Sequence, residues 1–390
     1  MKVDPASRLG SVEEYYFSRK LQEIEQLREA GADIINLGIG SPDLSPPPQV
    51  ITSLKESLGL PNVHRYQSYR GVPELRSAFA NWYRRFYQVE LKAETELLPL
   101  IGSKEGIMHI SMAFLNPGDQ VLVPNPGYPA YSAAAKLAGA VVRPYLLRPE
   151  YGWLPDIDQI EKEDLSAVKI MWINNPHMPT GAQAGPEIFQ QLVSFAKRNN
   201  ILLVNDNPYS FVLSKKPTSL MQTPDAKEVA LELNSLSKSH HMAGWRVGMV
   251  CGSAEKINTI LRFKSNMDSG QFLGIQKAAM AALDTDQSWH DQQNQIYLRR
   301  KGIAKKIFDT LNCKIENAQV GMFLWARIPQ SWKNAYDLSD FILKEAEVFI
   351  TPGGIFGDRG DKYLRISLCS PEEVLVEALG RIEAQKIEEA

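Results

Sequence analysis

The chain has 390 residues, 44% hydrophobic and 23% charged, as in an ordinary soluble globular protein, and is long enough for one large domain plus a smaller one. A formal net charge of −2 offers no basic excess for nucleic acid or an anionic membrane. The opening MKVDPASRLGSVEEYYF lacks the apolar core of a secretory signal, and no uncharged apolar run is long enough to span a bilayer. Three scattered cysteines, Cys251, Cys313 and Cys369, form neither a disulfide framework nor a metal-spaced cluster, so the expected compartment is the cytoplasm and no metal is expected.

Segment 1–45 has no strand-rich core of its own. From about residue 97 to 252, apolar runs alternate with helical stretches: LLPLI (97–101), QVLVP (120–124), VVRPYLL (141–147), VKIMWI (168–173), ILLVN (201–205), VALEL (229–233) and GMVCG (248–252). Runs that are apolar almost throughout predict an α/β fold whose mostly parallel central sheet is buried on both faces. After Ala254 the pattern is helical to about residue 311, and shorter strands follow in GMFLWARI (321–328) and YLRISL (363–368). We expect a large domain over 46–285 and a smaller α+β domain built from 1–45 and 286–390.

In such sheets ligands bind beyond the carboxyl ends of the strands. The polar, Gly- and Pro-rich clusters fall there: GSKEG (102–106), NPGYP (125–129), NNPHMPTG (174–181), NDNPYS (205–210) and NSLSKS (234–239). Most lysines are solvated surface charges. Lys238, however, sits among small hydroxyl residues at a strand end, eight residues before Arg246. Burial and a nearby cation would lower its pKa and make it a nucleophile. Ser235 and Ser237 could donate to a phosphate. An aspartate at a strand end, such as Asp206, is more often a cap or turn residue, but a buried carboxylate there could partner a ring nitrogen. Ser103 and Lys104 open a helix whose N–H groups could meet an anion; an ordinary strand–helix turn looks the same. Tyr128 and Tyr209 could be core aromatics or could contact a planar ligand. Arg365, on a strand near the C-terminus, could be paired structurally or could clamp a carboxylate.

Together these motifs resemble the class I/II aminotransferases, the fold-type I pyridoxal-phosphate enzymes, from about Asn36 to Ser370. SLSKSHHMAGWRVG and the ordered series GSKEG, NPGYPAY, NPHMPTG, NDNPYS and YLRIS carry the resemblance. It implies a pyridoxal 5'-phosphate cofactor held as a Schiff base on Lys238, which also shuttles the proton. Asp206 would pair with the pyridine nitrogen, Tyr209 would donate to the phenolic oxygen and Tyr128 would stack on the ring. Ser103, Lys104, Ser235, Ser237 and Arg246 would bind the phosphate, joined by Tyr66 from the neighbouring subunit of a homodimer. Gly40, by its backbone N–H, and Arg365 would hold the substrate carboxylate. Met178 departs from the pattern: the family usually has asparagine just before Pro-Thr-Gly, and a thioether cannot donate. The SKEGI segment is similar to the alanine and LL-diaminopimelate aminotransferase branches.

The implied reaction is transamination between an L-amino acid and a 2-oxo acid in two half-reactions. A β-eliminating lyase on the same fold is the alternative. A non-catalytic cofactor-bound regulator is more remote, since only about 35 residues precede NLGIG. Aspartate-selective relatives meet the side-chain carboxylate with a second arginine from the neighbouring subunit, in the stretch that here reads Lys264 to Phe272. It contains no arginine, and Asp268 would repel a second carboxylate if it faced the site. Aspartate is therefore expected to be a poor donor, and a small, neutral or aliphatic amino acid, or one with a remote ammonium group, a better one.

Overall fold

The computed structural model describes residues 3–12, 16–316 and 318–385. Its strands are β1 (Ile35–Asn36), β2 (Leu97–Leu100), β3 (Gln120–Asn125), β4 (Val141–Leu146), β5 (Val168–Asn174), β6 (Leu202–Asp206), β7 (Ala230–Ser235), β8 (Gly248–Gly252), β9 (Phe323–Arg327), β10 (Val348–Phe349), β11 (Thr351–Pro352) and β12 (Tyr363–Ser367). Each of the seven runs read from the sequence between 97 and 252 is a strand. They form one sheet in the order β2-β8-β7-β6-β5-β3-β4.

From β7 to β4 every pairing is parallel, while β8 runs antiparallel to both β7 and β2. The apolar pattern did not reveal this reversal, because burial on both faces produces the same composition in either direction. Alternate residues divide between two cores. Leu98, Val121, Ile170, Val204 and Leu231 point to one face, and Leu97, Leu122, Met171, Leu203 and Met249 to the other. The two edge strands carry Pro99 and Pro144, whose missing N–H groups blunt the edges. Crossover helices cover the faces. The helix Pro186–Asn199 buries Phe189, Leu192, Val193 and Ala196 on one stripe and ends at Asn200, whose left-handed backbone stops it.

The remaining strands build smaller sheets. β12 lies antiparallel between β11 and β9, and β1 pairs in parallel with β10. The N-terminal strand thus pairs with the C-terminal part of the chain. Gln287–Thr310, the long helix that leads to β9, packs against Glu372–Ala384. No described helix is long and apolar enough to cross a membrane.

Candidate active site

Because β8 is reversed, its start meets the carboxyl ends of β2, β3, β5, β6 and β7 at one edge of the sheet. A cavity of about 440 Å³ opens there, lined among others by Ser103, Lys104, Tyr128, Asp206, Tyr209, Ser235, Ser237, Lys238 and Arg246. Nine of the residues singled out in the sequence therefore share one pocket, although they are spread over more than 140 positions of the chain.

Lys238 lies in the short helix Leu236–Ser239, whose start Ser235 caps by accepting from the Ser237 N–H at 3.1 Å. Its ammonium donates to the Gly40 carbonyl at 2.5 Å. Burial lowers its pKa; Arg246 and Arg365 push in the same direction, and Cys369 opposes them. These are the conditions for a nucleophilic amine. The Ser235 hydroxyl donates to the Val247 carbonyl at 3.2 Å, so that hydrogen must turn away before it can serve an anion. Arg246 contacts Ser237 Oγ at 3.5 Å and the Ala243 carbonyl at 2.9 Å. A Cβ on Gly102, at φ +84°, would lie 2.2 Å from the Arg246 guanidinium. Glycine at this point lets the loop before the helix Ser103–Phe114 close around the same space as the arginine.

Asp206 ends β6. Its Oδ2 accepts from Tyr131 Oη at 2.9 Å, and its Oδ1 is buried with no hydrogen-bond partner. Burial, reinforced by the charge of Glu232 and opposed by the Tyr131 hydrogen bond, pushes its pKa up to about 6. Asn174 fixes the backbone here: its amide donates to the Asp206 carbonyl at 2.7 Å, while its Oδ1 accepts from the Met178 N–H at 2.8 Å. An aromatic N–H cation would fill the vacant acceptor and restore the charged carboxylate. Together with an amine of lowered pKa and a Ser–Ser–Arg cup, this donor set fits a pyridine ring carrying an aldehyde and a phosphate.

Arg365 borders the pocket through Met178. It is 3% exposed; Nη2 donates to the Gly38 carbonyl at 2.7 Å and Nη1 to Met178 Sδ at 3.3 Å. Its guanidinium lies 4.0 Å from the Phe323 ring centre and 4.7 Å from that of Phe356. A Cβ on Gly40 would meet the Phe323 ring at 2.3 Å, so the glycine, the ring and the arginine are packed as one unit. Tyr66 is not brought into this pocket: it is 90% exposed.

The sequence reading missed Tyr131, Asn174, Phe323 and Phe356. Tyr131 sits three residues after Tyr128 at a helix start, a spacing that places both on one face, and this was the available signal. The two phenylalanines carried none, because they meet Arg365 only in three dimensions. Asp268 does not face the cavity. Lys264 Nζ reaches its two oxygens at 2.9 and 2.8 Å, and Gly270 N donates to it at 2.9 Å. Within the chain the Lys264 ammonium therefore offsets the charge of Asp268. Glu105, His109 and Asp268 converge on one buried spot, where the Lys264 ammonium already supplies the positive charge.

The family model "Aminotransferase class I and II" matches residues 32–382. The LL-diaminopimelate aminotransferase of Aquifex aeolicus is 38% identical over 98% of this chain and 99% of its own, and that of Moorella thermoacetica 39% over 97% and 98%. Among solved structures, apo BacF from Bacillus subtilis superposes with a TM-score of 0.95, at 36% identity and covering 100% of both chains. The aspartate aminotransferase of Thermus thermophilus with maleate gives 0.91 at 25% identity, covering 98% and 100%. The chain belongs to the class I and II aminotransferases and is a pyridoxal-phosphate-dependent transaminase of an amino acid and a 2-oxo acid.

Proposed function

We propose that the cavity at the sheet edge is the transamination site and that its residues divide the work as follows. Lys238 would hold the cofactor through Nζ and, as a free amine, would carry the proton between the substrate α-carbon and the cofactor's C4′ carbon. The bound cofactor supplies an electron-withdrawing ring that stabilises the negative charge left on that carbon. Asp206 holds the ring nitrogen protonated through the oxygen that has no partner in the protein. Tyr209 donates to the ring oxygen and Tyr128 packs on the ring face. Ser103, Lys104 through its backbone, Ser235, Ser237 and Arg246 hold the phosphate. Gly40 and Arg365 orient the substrate α-carboxylate. Asp206 Oδ1 is the observation that carries this reading: a buried acceptor at the floor of the pocket awaiting a charged donor.

We infer a cytoplasmic homodimer in which Tyr66 serves the partner's phosphate; its 90% exposure supports an intermolecular role. The amino donor is inferred to be small, neutral or aliphatic, or to carry a remote ammonium group. Support comes from the absence of arginine between Lys264 and Phe272 and from full-length relatives named LL-diaminopimelate aminotransferase. Single-turnover half-reactions of the holoenzyme with aspartate, alanine, methionine, glutamate and LL-diaminopimelate, followed by cofactor absorbance, test this. Aspartate should give one of the smallest second-order rate constants; the largest of the five would overturn the substrate reading. Steady release of pyruvate and ammonia without an oxo-acid acceptor would favour the β-eliminating alternative.

A further inference from the structure

The arginine assigned to the phosphate stands on an unusual piece of backbone. Arg246 follows the three-residue helix Ala243–Trp245 with φ 55° and ψ 57°, in the left-handed region that residues with a side chain seldom enter. Such a conformation persists where the surroundings hold it. The next two residues are held by the sheet edge itself. The Val247 carbonyl accepts from Leu236 N at 3.1 Å and from the Ser235 hydroxyl at 3.2 Å, and a Cβ on Gly248 would lie 2.8 Å from Ser103 N. The carbonyl of Arg246 is held from farther along the chain: it accepts from Gln271 Nε2 at 2.7 Å. Only the nitrogen end of a side-chain amide can make that bond. Gln271 is placed in turn by Gln276, which is fully buried and bonded at both ends. Its Nε2 donates to the Gln271 carbonyl at 2.6 Å, and its Oε1 accepts from Val72 N at 2.8 Å.

We propose that Gln271 is a positioning residue for the cofactor phosphate, acting through Arg246. By donating to the Arg246 carbonyl it holds the left-handed backbone from which the guanidinium reaches Ser237 Oγ and the space beside Gly102. Without that donor the carbonyl loses its tie, and the backbone relaxes toward the right-handed or extended regions that a residue with a Cβ prefers. Either change redirects the side chain away from the Ser–Ser–Arg cup. Gln271 thus sets how well the site holds a phosphate while leaving the amine of Lys238 and the carboxylate of Asp206 as they are. The inference rests on the reading of Arg246 as a phosphate ligand.

The test titrates the full-length apoprotein with pyridoxal 5'-phosphate and, separately, with pyridoxal, which lacks the phosphate; the absorbance of the bound ligand reports both. Gln271→Leu removes the donor at similar volume, and Gln271→Glu keeps the shape of the side chain but has no N–H to give. Each should raise the dissociation constant of pyridoxal 5'-phosphate by about fivefold or more, with that of pyridoxal changed less than about twofold. Arg246→Ala should remove most of the preference for the phosphorylated ligand, and adding Gln271→Leu to it should change nothing further, because the glutamine works through the arginine. An equal loss for both ligands, or no loss, in a Gln271 variant that keeps the wild-type circular dichroism would overturn the proposal, and so would additive losses in the double variant. If Arg246→Ala kept the full preference for pyridoxal 5'-phosphate, the reading of Arg246 as a phosphate ligand would fail first and take the proposal with it.

Discussion

Two buried carboxylates, Glu232 and Asp206, stand one position apart in the register of neighbouring strands and have opposite surroundings. Glu232 on β7 pairs with Asn205 on β6, one residue before Asp206. Glu232 receives the Tyr83 hydroxyl at 2.9 Å, the Ser219 hydroxyl at 2.6 Å, Leu220 N at 2.8 Å and the Asn205 amide at 2.8 Å. Asp206 receives one hydroxyl and keeps one oxygen without a partner. Burial raises the pKa of both, but only at Glu232 does the protein complete the hydrogen bonding. A native fold satisfies its buried acceptors unless the missing partner comes from outside. Glu232 stitches strands, a tyrosine and a turn together; Asp206 is held ready for a ligand. Lys238 and Lys264 repeat the contrast: Lys264 is buried against Asp268, whereas Lys238 donates to a neutral carbonyl among cations.

The largest effect expected from this contrast is at Lys238. Lys238→Ala should abolish steady-state turnover while leaving the fold intact, measured by activity alongside circular dichroism. Next, Asp206→Asn should still bind cofactor yet lose several kcal/mol of rate acceleration, each ~1.4 kcal/mol being tenfold in kcat. Near-normal turnover would remove the reason for the vacant oxygen.

The same carboxyl makes a prediction about the apoprotein. Its pKa rises from the usual 3.8 to about 6 on folding, so the folded state binds the proton more tightly than the unfolded state. The contribution of Asp206 is therefore favourable below the unfolded value and is lost as pH rises from about 4 to 6, by roughly 3 kcal/mol. Wild-type apoprotein should lose stability across that window relative to Asp206→Asn, and added cofactor should reduce the difference. Thermal unfolding of both proteins from pH 4 to 7 measures it. Glu232→Gln is the counterpart with the smallest effect on function. It should cost about 1–3 kcal/mol of stability, because a carboxylate accepting four donors is replaced, with kcat changed less than about twofold. A large fall in kcat with unchanged stability would erase the distinction between the two carboxylates.

Much of this was legible in the sequence because a parallel sheet writes itself as apolar runs with turn residues at the carboxyl ends, so Lys238, Asp206 and Ser103 could be placed at one edge before any coordinates. The direction of β8 was not legible, since a strand buried on both faces carries no mark of its orientation. Nor were partnerships formed only on folding: Tyr131 on Asp206, the phenyl rings on Arg365, and Lys264 on Asp268. Met178 was visible as a departure, but its contact with Arg365 needed the structure.

The account stands most directly on which amine carries the cofactor. Borohydride reduction of the holoenzyme followed by peptide mapping answers this in one measurement. A pyridoxyl label on Lys238, within SLSKS, is the predicted result, while a label on Lys104, the other lysine lining the pocket, would contradict it.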